Sequence, residues 1–118
     1  MRKIKNFVNG KISSSSLEYL PVNNPSTGEN IAEVVLSSKK DFEETVISSE
    51  KAFFEWSKIT PLKRSRILSK FKENIERNLD DLAKIVSTEH GKTFDDAKGS
   101  VIRGLEVVEF ACGIPHLL

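Results

Sequence analysis

The sequence predicts an α/β fold in which short strands and a β-hairpin come first and helices follow. Three observations support this. The apolar residues of the first third follow the short alternation of strands, and the period lengthens to 3.6 near residue 37. Asn9-Gly10 lies between two short extended stretches and suits a two-residue type I′ turn, in which both central residues take positive φ. Residues that start and stop helices punctuate the remainder: Ser37 or Ser38, Thr60 and Thr93 as caps, and Gly91 as a stop.

Residues 4–8 form the first strand, and the return strand of the hairpin begins at Lys11-Ile12. Ser13 to Ser16 is a polar spacer, expected to be a mobile connection. Extended structure resumes over residues 17–22, where Pro21 cannot donate to a ladder and so marks an edge strand. Asn23-Asn24-Pro25-Ser26-Thr27-Gly28 is a turn cluster, and residues 31–36 form another strand. In the first helix Asp41 falls in the first turn, where the dipole favours a carboxylate. Phe42, Val46, Ser49, Phe53 and Trp56 make its inward stripe. The second helix opens on Thr60-Pro61 and carries Leu68, Phe71, Ile75, Leu79, Leu82 and Val86. Asn78 is a possible new cap within it, with Asp80 and Asp81 following. The third opens on Thr93 and carries Phe94, Ala97, Val101, Leu105, Val108 and Cys112. Beyond Leu105 it is apolar on almost every side, the mark of a deeply buried helix, and Pro115 ends it.

A chain of 118 residues is about 0.8 of an average ~150-residue domain, which favours one compact domain over two. At this mass a folded monomer exposes about 6,400 Å² and buries about two-thirds of its extended surface. With 18 basic and 17 acidic residues the net charge is +1, so no polyanion or nucleic-acid partner is expected. One cysteine excludes an internal disulfide, and one cysteine with two histidines leaves little to hold a transition metal. No apolar run reaches the ~18–20 residues of a membrane span. The basic start leads to no apolar signal core, so the expected location is cytoplasmic or another reducing compartment. Three helices and a few strands could cover one face of the last helix, but hardly all of it. The chain therefore reads as the opening of something larger or as a subunit needing a partner.

Few residues offer chemistry. No glycine-rich segment has the spacing of a phosphate loop. Cys112 lies late in an apolar helix, where the dipole opposes a thiolate, so it reads as a small hydrophobe. His90 suits the negative end of a helix dipole, and His116 points to no role. Asp80/Asp81 and Asp95/Asp96 are adjacent pairs that cannot share a helix face, so first-turn placement explains them. Lys63, Arg64, Arg66, Lys70 and Lys72 read as a solvated face, because Glu73 and Glu76 interrupt them. Arg103 stands out, between Ile102 and Gly104 in the most apolar helix. Gly104 costs about 1 kcal/mol of helix propensity relative to Ala and often marks close backbone approach. An arginine in such a setting needs a carboxylate. The residues alone leave open whether that is Glu106, Glu109 or one from outside the chain.

Five segments in order resemble the opening of the aldehyde dehydrogenase superfamily. They are Phe7-Val8-Asn9-Gly10-Lys11, Val22-Asn23-Asn24-Pro25-Ser26-Thr27-Gly28-Glu29, Ala52-Phe53-Phe54-Glu55-Trp56-Ser57, Arg64-Ser65-Arg66-Ile67-Leu68 and Glu89-His90-Gly91-Lys92-Thr93. The run from Gly99 through Arg103 to Cys112 resembles the CoA-acylating, methylmalonate-semialdehyde branch. The resemblance implies that residues 1–118 are the incomplete N-terminal segment of that family's NAD-binding domain. It further implies oxidation of malonate or methylmalonate semialdehyde with NAD and coenzyme A, in valine and inositol breakdown, by a homo-oligomeric enzyme. It makes Arg103 a substrate-carboxylate anchor, because the branch's substrates carry a carboxylate beside the aldehyde.

The family's reactive cysteine, base glutamate, oxyanion asparagine and NAD segment lie later in such chains. The resemblance therefore implies no catalytic, cofactor-binding or metal-binding residue here, and no activity for this chain without the remainder of its polypeptide. Two other expectations compete: a hydrolytic aldehyde dehydrogenase of another branch, and a non-enzymatic helical module docking through residues 101–118.

Overall fold

The computed structural model describes residues 1–118. The chain packs as two compact units, Met1–Lys58 and Ile59–Leu118, where its length alone favours one. The strands lie in the first unit and the helical stack in the second, which makes the α/β fold predicted from the change of period.

The first unit contains β1 (Arg2–Ile4), β2 (Asn6–Val8), β3 (Lys11–Ser13), β4 (Tyr19–Asn23), β5 (Asn30–Val35) and α1 (Lys39–Trp56). β2 and β3 form the hairpin, with Phe7 opposite Ile12 and Val8 opposite Lys11. Asn9 has φ 51° and Gly10 φ 73°, the two positive values that a type I′ turn needs. The single strand expected over residues 4–8 divides at Lys5. Its first part leaves the hairpin and pairs parallel to β5, with Arg2 opposite Ala32 and Ile4 opposite Val34. β4 runs antiparallel on the other side of β5, giving the order β1-β5-β4. Pro21 thus sits on an edge strand, where a missing donor is tolerated. In the turn before β5 the Gly28 amide donates to the Asn24 carbonyl at 2.7 Å and the Ser26 amide to Asn24 Oδ1 at 2.9 Å. Ala32 and Val35 of the central strand are buried. They are three positions apart and so point to opposite faces of the sheet.

The segment expected to be mobile is anchored instead. Ser15 donates to Asp41 Oδ1 through both its amide and its hydroxyl, and the Ser16 amide donates to Oδ2. Asp41 also accepts from the Ser38 amide and hydroxyl, while Ser38 Oγ accepts from the Asp41 amide. Ser38 is thus the cap of α1 in a closed capping box. Polar composition describes this segment correctly but does not reveal the carboxylate that holds it, 26 residues away. The stripe expected to bury α1 is open: Phe42 and Phe53 are 67% and 62% exposed, and Asp41 is the only buried residue of the helix.

The second unit holds α2 (Pro61–Arg77), α3 (Leu79–His90), α4 (Phe94–Cys112) and a 3₁₀ turn, Ile114–Leu117. Thr60 caps α2 ahead of Pro61, and Thr93 caps α4 by accepting from the Asp96 amide at 3.3 Å. The break at Asn78 is present, but its side chain does not cap α3. With φ −109° and ψ 18° it turns back, and Nδ2 donates to the Asn74 carbonyl of α2 at 2.7 Å. Gly91 stops α3 at φ 69°, in the left-handed region that glycine enters at little cost.

α4 packs against α3 and α2, and Ala83 and Ala97 are fully buried, small enough to let backbones approach. Val101, Leu105, Val108 and Cys112 are half-buried on the predicted stripe. The deep burial expected for the end of α4 is not found, since Val107 and Phe110 are 69% and 68% exposed. α4 ends at Cys112, with Gly113 as its cap, and Pro115 lies inside the 3₁₀ turn that follows. The total accessible surface is 9006 Å², against about 6,400 Å² for a folded monomer of this mass. Large apolar side chains are left exposed on the hairpin, on α1 and α2, and at the end of α4.

Candidate functional site

Arg103 lies in the middle of α4 with its side chain exposed. Long side chains on a helix lean toward its N-terminus, and Arg103 does so. Nη2 donates to Ser100 Oγ at 3.1 Å, one turn back. A Cβ placed on Gly99 would lie 3.6 Å from Nη1, so the guanidinium rests along this part of the helix. No close approach explains Gly104, because a Cβ there would meet nothing within 4 Å.

Neither Glu106 nor Glu109 pairs with Arg103. Glu109 instead meets Lys72 of α2 at 3.2 Å, and Lys72 also meets Glu76 at 3.3 Å. Hydrogen bonding to Glu109 first, and to Glu76 next, raises the Lys72 ammonium above its ordinary value. The internal carboxylates that could have claimed Arg103 are thus engaged elsewhere or turned to solvent.

A second cation reaches the same hydroxyl. Lys92 Nζ donates to Ser100 Oγ at 2.7 Å. Lys92 sits in the short connection between α3 and α4, just past the Gly91 reversal, and the Ser87 hydroxyl donates to its carbonyl at 2.7 Å. Ser100 Oγ itself donates to the Asp96 carbonyl at 3.2 Å. Lys92 and Arg103 therefore converge on one neutral oxygen, and neither takes part in an ion pair. Lys92 and Ser100 both lie in segments that carry the family resemblance, but their residue types alone give neither a role. Ser100 could have been found from its i, i+3 spacing to Arg103, whereas Lys92 is brought close only by the turn.

The other candidates have structural partners. Cys112 is half-buried, and its carbonyl accepts from the Ser65 hydroxyl of α2. His90 is in the last turn of α3, and the aspartate pairs sit in the first turns of α3 and α4, with Asp80 on Lys98 at 2.7 Å. An open cleft of about 370 Å³ between the hairpin and α1 carries Lys11, Lys40, Asp41 and Glu44. Lys40 and Glu44 are 3.8 Å apart, and Asp41 is saturated by serines that hold its carboxyl well below the usual carboxylate range, the Ser15 amide contributing most.

No group of three or more His, Cys, Asp and Glu side chains could hold a metal ion. β5 passes to α1 through Leu36-Ser37-Ser38 without a glycine, so this junction is not a glycine-rich turn of the dinucleotide-binding type.

The sequence profile of the aldehyde dehydrogenase family matches residues 11–118, and the chain belongs to that family. Within it, the chain is 45% identical over 116 residues to malonate-semialdehyde dehydrogenase 3 of Bacillus cereus, covering 98% of this chain and 24% of that enzyme. Among solved structures, an assigned methylmalonate-semialdehyde dehydrogenase of Sinorhizobium meliloti, complexed with NAD, superimposes with a TM-score of 0.95 at 42% identity. That match covers 99% of this chain and 24% of the other. The methylmalonate-semialdehyde dehydrogenase of Oceanimonas doudoroffii gives a TM-score of 0.96 at 38% identity, covering 100% and 24%. The chain thus spans about a quarter of the length of the relatives it matches.

Proposed function

We propose that residues 1–118 are the N-terminal part of an NAD-dependent, CoA-acylating malonate- or methylmalonate-semialdehyde dehydrogenase, and that Arg103 anchors the substrate carboxylate. The whole-chain likeness to semialdehyde dehydrogenases supports the reaction class. The observation that carries the role of Arg103 is its lack of any carboxylate partner, although Glu106 and Glu109 lie on the same helix. A planar guanidinium free of internal pairing can take a carboxylate through two parallel hydrogen bonds. Such an anchor would orient the aldehyde end of a short semialdehyde while leaving it free to react.

The thiolate nucleophile, the general base and the nicotinamide site belong to the remainder of the polypeptide. NAD supplies hydride acceptance there, and coenzyme A takes the acyl group. On this reading residues 1–118 have no dehydrogenase activity alone. They function within a homo-oligomeric cytoplasmic enzyme of valine and inositol breakdown. The likeness to semialdehyde dehydrogenases at 38–45% identity favours this branch over a hydrolytic aldehyde dehydrogenase, and family membership counts against a non-enzymatic docking module.

The first experiment is to read the gene past the codon for Leu118 and assay the encoded polypeptide. Continuation into a glycine-rich NAD segment and a cysteine motif, with malonate-semialdehyde oxidation that needs coenzyme A, is the expected result. In that enzyme Arg103→Ala raises KM for the semialdehyde about tenfold or more, the loss expected for a charge-assisted hydrogen bond, and leaves propanal oxidation nearly unchanged. Equal losses on both aldehydes would remove Arg103 from the carboxylate site.

A further inference from the structure

The Arg103 guanidinium is not alone. Ser100 Oγ accepts from Lys92 Nζ at 2.7 Å and from Arg103 Nη2 at 3.1 Å, and donates to the Asp96 carbonyl at 3.2 Å. A serine hydroxyl has two acceptor lone pairs and one proton, so all three are used and the oxygen is locked in place. Two like charges drawn onto one neutral oxygen, with no carboxylate on either, repel each other and gain from a shared anion. An ammonium has three donors and a guanidinium five. Each spends one on Ser100, so both keep donors free for such an anion.

We infer that Lys92, Ser100 and Arg103 form a single carboxylate cradle, in which Lys92 is a second substrate-binding cation and Ser100 a positioning residue that holds the two apart at a fixed spacing. The inference rests on the proposed anchoring role of Arg103 and adds two residues to it. The ligand class is a small aliphatic carboxylate. Ser100 sits three residues before Arg103 on α4, while Lys92 comes from the connection before that helix, so the cradle is built from two backbone segments. Its spacing is therefore set by the Gly91 reversal and the Thr93 cap as well as by the helix.

The test uses the complete polypeptide encoded by the gene, with two readouts. The first is the thermal shift induced by malonate, against acetamide as a neutral control and inorganic phosphate as a rival anion. The second is the ratio of KM for malonate semialdehyde to KM for propanal. Lys92→Met and Ser100→Ala are each expected to abolish most of the malonate-induced shift and to raise the KM ratio about three- to tenfold. Ser100→Thr keeps the hydroxyl and is expected to restore both, which separates loss of positioning from loss of folding. A malonate shift that survives in Lys92→Met and Ser100→Ala overturns the cradle, even where Arg103→Ala alone confirms the anchor. Stabilisation by phosphate equal to that by malonate overturns the carboxylate assignment. A polypeptide that binds malonate through all three residues yet oxidises no semialdehyde retains the cradle and refutes the proposed function.

Discussion

Removing the hydroxyl of Ser38 tests how α1 is joined to the strands before it. In the native chain Ser38 Oγ accepts from the Asp41 amide at 3.2 Å and donates to Asp41 Oδ2 at 2.8 Å, while the Ser38 amide donates to the same oxygen at 2.8 Å. Ser38→Ala deletes the first two bonds, together with the hydrogen bond between Ser38 Oγ and Ser15 Oγ at 3.1 Å, and spares the third. Replacing a capping serine by alanine costs about 0.5–2 kcal/mol. The upper half of that range applies, because the hydroxyl also supports the side chain of Asp41, a residue only 6% exposed. A loss of ~1–2 kcal/mol raises the open population of the first turn roughly 5- to 30-fold. Native-state amide exchange is the assay, read at Asp41 and Phe42 and, across the loop, at Ser15 and Ser16. The amides of Ser15 and Ser16 donate to Asp41, so their exchange quickens with that of the helix start. Unchanged protection at Ser15 and Ser16 would show that the two segments are not coupled through Asp41. The same junction is pH-sensitive with a definite sign. Amide donors hold the Asp41 carboxyl below its ordinary value of 3.8, so its contribution is complete above that pH and is lost as pH falls beneath it. Asp41→Asn removes this acid sensitivity, measurable as a flatter dependence of urea midpoint on pH below 4.

Gly91→Ala forces a side chain into φ 69° and is expected to cost about 1–2 kcal/mol, seen as a lower urea midpoint at unchanged slope. Ala97→Leu adds volume where the side chain is 0% exposed, and overpacking there should cost about 1–3 kcal/mol; a neutral urea melt would show slack between α3 and α4. Residues 1–118 expressed alone should self-associate through the open faces of α1 and the end of α4, and light scattering that shows a monodisperse monomer would contradict this.

The features that sequence alone determined are local ones. The type I′ turn at Asn9-Gly10, the caps at Thr60 and Thr93 and the stop at Gly91 depend on hydrogen bonds and φ values within a few residues, so residue type and spacing are enough to read them, whereas the choice of Ser38 over Ser37 as the cap of α1 came from the structure. The stripe of α4 was legible from its period, and the aldehyde dehydrogenase resemblance followed from ordered motifs. Tertiary structure alone decided what each stripe meets and where separated charges meet. It split the first strand so that Arg2–Ile4 could pair with β5, turned a serine spacer into the ligand of Asp41, and left the stripe of α1 open. It gave Glu109 to Lys72, which freed Arg103, and the backbone reversal at Gly91 brought Lys92 to Ser100. None of these pairings has a periodic signature, because each joins segments whose relative placement is set by packing and not by the sequence between them.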